Sequence, residues 1–114
     1  MKAWKLLLKR GAWCQGYFAT TREGIPCHPE SAMAEKFCAV GAVKKCYPDP
    51  VAQDMIIEKL QLAVPKYYCA VGEWNDARHR RKHEVIRLLQ LVEDGTIPRE
   101  SVRRTRRSHA ASPK

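Results

Sequence analysis

Apolar side chains recur along this chain mostly at helical spacing. Trp4, Leu7 and Leu8 fall on one side of residues 3–10 and Lys5 and Lys9 on another, which predicts a short amphipathic helix over Ala3–Arg10 stopped by Gly11. Met33, Phe37, Cys38, Val40 and Gly41 keep the same period and predict a second helix through AMAEKFCAVGAVKKCY, with Lys44 and Lys45 suited to its last turn. A glycine inside a helix costs about 1 kcal/mol relative to alanine, so Gly41 marks close packing of another backbone. Tyr47-Pro48-Asp49-Pro50 breaks the chain, and Asp49 as N-cap with Pro50 at the first helical position restarts it. Val51, Met55, Ile56, Leu60 and Ala63 are expected to line that third helix, which Pro65 ends. Val85, Ile86, Leu88, Leu89 and Val92 predict the last helix over 81–94, with Gly95 as its cap and Pro98 barring continuation.

Two stretches break the period. Trp13–Thr20 (WCQGYFAT) is rich in aromatic and β-tolerant residues, Thr21–Gly24 suits a turn, and Ile25-Pro26-Cys27 is expected to return as a very short strand. An isolated hairpin is marginal in water, so this one has to lie against helices. Residues 66–80 read as an irregular connection, and no internal repeat is visible. The fold class is therefore mainly α with minor β: a compact bundle of about four helices with one small β-hairpin near the N-terminus. Residues 1–95 form the expected globular domain and 96–114 a basic C-terminal extension.

Charge sharpens this picture. The 114 residues carry a net +9 and are 45% hydrophobic, an ordinary apolar fraction for one domain. Residues 1–77 hold ten Lys/Arg against eight Asp/Glu, whereas 78–114 hold eleven against four, so the excess is a property of the C-terminal third. Such a face or tail points to nucleic acid, an acidic protein surface or anionic lipid. Nothing approaches the roughly 18 apolar residues of a membrane span, and MKAWKLLLKRGAW is too short in apolar residues for a secretion signal. The five cysteines are odd in number with no C-x-x-C pair, so reduced thiols and a cytoplasmic setting are expected.

Three elements stand in order along the chain: Trp13-Cys14-Gln15-Gly16, then Cys38-x-x-Gly41-Ala42, then Asn75-Asp76 ahead of the last helix. In this the chain resembles a family of small uncharacterised proteins of phages, prophages and actinobacteria, which share W-x-Q-G, C-x-x-G-A and N-D motifs. The resemblance spans residues 4–94 and implies a fold and the cytoplasm of a bacterial host, but no chemistry. It also implies structural roles for Trp13, Gly16, Cys38, Gly41, Ala42, Asn75 and Asp76. Residues 77–82 (ARHRRK), where relatives tend to have a short turn, and the arginines after Gly95 depart from the pattern; both departures are basic.

Catalytic and metal chemistry are weakly signalled. Cys27-His28, Cys38 and Cys46 make a zinc site conceivable, yet tetrahedral sites draw on close ligand pairs, and cysteines on apolar faces are mostly buried structure. No Cys/His pair is singled out as nucleophile and base, so no catalytic residue, metal or cofactor is expected. Asn75-Asp76 reads as a turn that bonds its own backbone. The basic clusters carry more weight. A helix N-terminus is electropositive, so Arg80, Arg81 and Lys82 sit where local stability disfavours them unless an anion is bound. Arg78, Arg80, Arg81, Lys82, Arg103, Arg104, Arg106 and Arg107 are therefore the candidate anion contacts, and nucleic acid is the leading partner. An inhibitor or adaptor on an acidic host-protein surface, such as host-defence machinery, is the alternative, and a Cys/His enzyme or zinc protein the third.

Overall fold

A computed structural model of the chain describes residues 1–95; the extension 96–114, with Arg103, Arg104, Arg106 and Arg107, lies outside the described residues. Among the described residues five helices and two short strands follow in the order α1 (Ala3–Leu6), β1 (Ala19–Thr20), β2 (Lys36–Phe37), α2 (Ala39–Cys46), α3 (Pro50–Ala63), α4 (Val71–Asn75) and α5 (Lys82–Asp94). The mainly helical reading with a minor antiparallel sheet near the N-terminus is what the chain adopts.

Central α2 explains the packing. Its residues Ala39–Val43 are all buried, and it touches α1, α3 and α4, while α1 and α3 also pack on α5. Small side chains at Ala39, Gly41 and Ala42 permit that many neighbours. Leu7, Val43, Leu60, Val71, Val85 and Leu89 are the largest fully buried apolar side chains of the core.

Local chemistry sets the ends. Asp49 accepts the Ala52 N–H at 3.3 Å and Pro50 opens α3, as expected. Gly11 and Gly95 take positive φ where the chain leaves α1 and α5. α1 is shorter than Ala3–Arg10: after Leu6 the chain tightens into turns in which Leu8, Lys9 and Ala12 N–H groups each reach three residues back.

Four further expectations change. The second helix does not begin near Met33, which is exposed; Lys36–Phe37 is a strand and Cys38 is the N-cap, its Sγ accepting the Gly41 N–H at 3.3 Å. Ala19 pairs with Phe37 and Thr20 with Lys36, so β2 takes the place expected for Ile25–Cys27. Pro26 cannot donate to a ladder, and its segment makes one bridge to Thr20. Finally, Val51 and Met55 of α3 are exposed (65% and 54%), and residues 71–75 form a short helix inside the connection read as irregular.

Glu93 locks the two ends of the fold. Its carboxylate accepts the otherwise free Ala3 and Trp4 N–H groups of α1 at 2.7 and 2.9 Å, and the Tyr47 hydroxyl at 2.5 Å. Burial, with that carboxylate beside it, pushes the Tyr47 phenol well above its ordinary value of 10. A group raised on folding stabilises fully below its unfolded value, and the contribution is lost as pH climbs toward the folded one. Stability should therefore fall as pH rises above 10. Tyr47→Phe should lower stability at neutral pH by about 1–2 kcal/mol and flatten that alkaline decline in pH-resolved urea melts. A residual slope should persist from the Cys14, Cys38 and Cys46 thiols, which burial also raises.

Candidate functional site

The three motifs meet at one side chain. Asn75 is fully buried, and its Oδ1 accepts the Trp13 indole N–H at 2.9 Å and the Ala39 N–H at 3.0 Å. Its Nδ2 donates to Cys14 O at 3.2 Å and to Asp76 Oδ1 at 2.9 Å, so both lone pairs and both amide hydrogens are used. Gln15 Nε2 donates to the carbonyls of Asn75 and Ala77 at 2.9 and 3.1 Å, and the Gly16 N–H to Asp76 Oδ1 at 3.0 Å. Gly16 adopts φ 89°, which turns the chain toward Asp76. Trp13, Gly16, Cys38, Gly41, Ala42, Asn75 and Asp76 thus come together around the start of α2.

Beside this network, Gly16, Tyr17, Phe18, Cys38, Gly72 and Asp76 surround a shallow pocket of about 290 Å³. It offers two half-exposed aromatic rings, of Tyr17 and Phe18, and the carboxylate of Asp76. The thiols nearby are poor nucleophiles: burial, more than any neighbouring charge, pushes Cys14 up to about 12 and also raises Cys38. Among the described residues no three of His, Cys, Asp and Glu gather as a metal-holding group.

The α5 cations divide into two kinds. Arg80 is committed within the fold: Nε donates to Trp74 O at 2.8 Å, a terminal nitrogen to the Tyr68 hydroxyl at 3.2 Å, and its guanidinium lies 4.0 Å from the Trp74 ring centre. It also pairs with Glu84 at 3.5 Å, leaving 14% of the side chain exposed. Lys82 donates to Lys9 O at 2.7 Å. Arg78 and Arg81 are exposed, with no side-chain partner among the described residues. The electropositive helix start also has an internal answer that the charge run concealed: Glu84, in the first turn, accepts the Arg81 N–H at 2.8 Å. Arg80 and Lys82 are therefore engaged within the fold, and of the four cations at the start of α5 Arg78 and Arg81 are the exposed ones.

A family model matches residues 1–94, described as a family of unknown function, DUF6197. The chain belongs to this family. No curated protein and no solved structure shows significant similarity to it. Residue 94, where the DUF6197 match ends, is also the last residue of α5. Arg103, Arg104, Arg106 and Arg107 lie beyond that match. Among the described residues of this family member no helix is long and apolar enough to cross a membrane.

Sequence reasoning missed a second basic group. Lys9, Arg10, Arg22 and Lys36 line a cleft of about 360 Å³ together with Gly11, Ala12 and Glu35. They are scattered over a segment of nearly neutral net charge, so only the turn at Gly11 and the sheet register bring them together.

Proposed function

We propose that this member of DUF6197 is a non-enzymatic binding module that engages nucleic acid through a basic surface. The observation that carries the reading is the hydrogen bond from Lys82 Nζ to Lys9 O, which places Lys9 and Arg10 beside the start of α5, where Arg78 and Arg81 are exposed. Basic residues far apart in sequence thus lie near one another, and Arg103, Arg104, Arg106 and Arg107 add charge to the same chain. The raised thiols fit a binding role better than a nucleophilic one. Phosphate contacts of this kind give affinity without base specificity, as in an accessory protein of a phage or mobile element.

The test is fluorescence anisotropy with DNA and RNA over a range of salt. Affinity should fall steeply with salt, and Arg78→Ala/Arg81→Ala should reduce the logarithmic slope by about two, one per lost phosphate contact. Absence of binding to either nucleic acid at low salt would sink the reading.

The exposed apolar residues of α3, Val51, Met55 and Leu62, favour a second reading as an adaptor or inhibitor on an acidic protein surface. A pull-down with and without nuclease separates the two: a protein captured after nuclease treatment supports the adaptor.

A further inference from the structure

We infer that the cleft between the end of α1 and the β1–β2 sheet is a phosphate-binding site. Three separate segments supply its cations: Lys9 and Arg10 after α1, Arg22 in the turn after β1, and Lys36 in β2. Glu35 is the one acid in the lining, so the five charged side chains sum to +3. None of the five makes an ion pair among the described residues. Like charges gathered without partners repel one another, and a bound anion turns that repulsion into attraction.

Backbone hydrogen bonds hold the cations where they are. The Phe37 N–H donates to Ala12 O at 2.7 Å and the Glu35 N–H to Thr20 O at 2.9 Å, which fixes β2 against the Gly11 turn and against β1. The Arg22 turn is closed by Thr21 N–H to Ile25 O at 2.8 Å and Gly24 N–H to Thr21 O at 2.9 Å. The backbone of the site is therefore preorganised, and the ordering cost of binding falls on the cationic side chains alone. Two of its cations are arginines, whose forked donors match two oxygens of one phosphate. The volume of about 360 Å³ is many times the roughly 30 Å³ share of one water in the liquid, so a phosphate enters with part of its hydration.

Lys9 lines this cleft and its carbonyl accepts from Lys82, so the cleft lies close to the start of α5. The phosphates are those of a nucleic-acid backbone if the binding-module reading holds, on which this choice of source rests; a free di- or polyphosphate has the same chemistry.

Arg22→Gln/Lys36→Gln tests the cleft, and Lys59→Gln/Lys66→Gln, outside its lining, removes the same charge as a control. Single-stranded DNA should bind the cleft variant about tenfold more weakly at moderate salt, with the salt slope reduced by about 1.4, against little change in any cleft-specific signal for the control. Inorganic pyrophosphate should shift the amide resonances of Gly11, Ala12 and Lys36 in the unmutated protein and leave them unmoved in the cleft variant. Equal DNA affinity of the cleft and control variants, or pyrophosphate that moves no cleft amide, overturns the site. Pyrophosphate shifts without any DNA binding would keep the site, assign it to a free phosphate ligand, and discard the nucleic-acid reading alone. Should the double variant fail to fold, Arg22→Gln in its exposed turn serves by itself, with about half the change in slope.

Discussion

Asn75→Ala should destabilise the fold by about 3–5 kcal/mol, a large part of the 5–15 kcal/mol that holds a domain together. Four side-chain hydrogen bonds disappear at a fully buried position. Each contributes about 0.5–1.5 kcal/mol, and the groups left behind add their own cost when water cannot reach them. The Ala39 N–H is the most exposed to that cost, because Ala39 is itself fully buried at the first turn of α2. Asn75→Asp should be nearly as harmful at neutral pH. An oxygen then replaces the Nδ2 donor opposite Cys14 O and Asp76 Oδ1, and three acceptors face one another. At acid pH a protonated carboxyl donates again, and part of the stability should return. Urea melts followed by the fluorescence of Trp13 and Trp74 give both numbers. An alanine variant within 1 kcal/mol of the unmutated protein would mean the network contributes far less than its geometry implies.

Gly41→Ala should cost about 3 kcal/mol or more, although alanine is the better helix former by about 1 kcal/mol. A Cβ at Gly41 lands 1.8 Å from Phe18 O and 2.7 Å from Phe18 C. Both atoms are backbone, so no rotamer change relieves the clash. The Phe18 carbonyl is also held by the Cys38 N–H at 3.1 Å, so moving it disturbs the N-cap of α2. Gly72→Ala is the control. Gly72 lies in α4 with nothing within 4 Å of the added carbon, and its φ is not positive. Its replacement should be neutral or stabilise by up to about 1 kcal/mol. A Gly41 variant as stable as the Gly72 variant would contradict the packing.

The same two positions show what a reader of the sequence can and cannot see. Gly41 is legible because a glycine in an amphipathic helix demands a neighbour, though nothing names Phe18 as that neighbour. α5 and the Asp49-Pro50 start of α3 are legible because period and caps agree within one segment. The boundary at Cys38 is not, since Met33, Phe37 and Val40 happen to keep helical spacing while β pairing claims Phe37. α4 is five residues long, too short to display a period. Asn75 and Asp76 read as a local turn because their partners lie about 60 residues away. Arg80 looks like one more cation in a run until Trp74 and Tyr68 fold over it. The basic cleft was invisible for the same reason, because its residues are neighbours in space alone.

Glu93 has a consequence for engineering. By holding the first turn of α1 to the last turn of α5, it brings residues 3 and 4 within hydrogen-bonding distance of residue 93. Lys2 strengthens the junction through Glu93 O at 3.2 Å and Asp94 at 3.3 Å. A short Gly/Ser linker can therefore join Lys2 to Gly95, and the chain can be reopened between the exposed Lys66 and Tyr67 without cutting an element of the core. The unit is built as a closed ring of contacts, and a permuted order of the same residues should fold to the same surface.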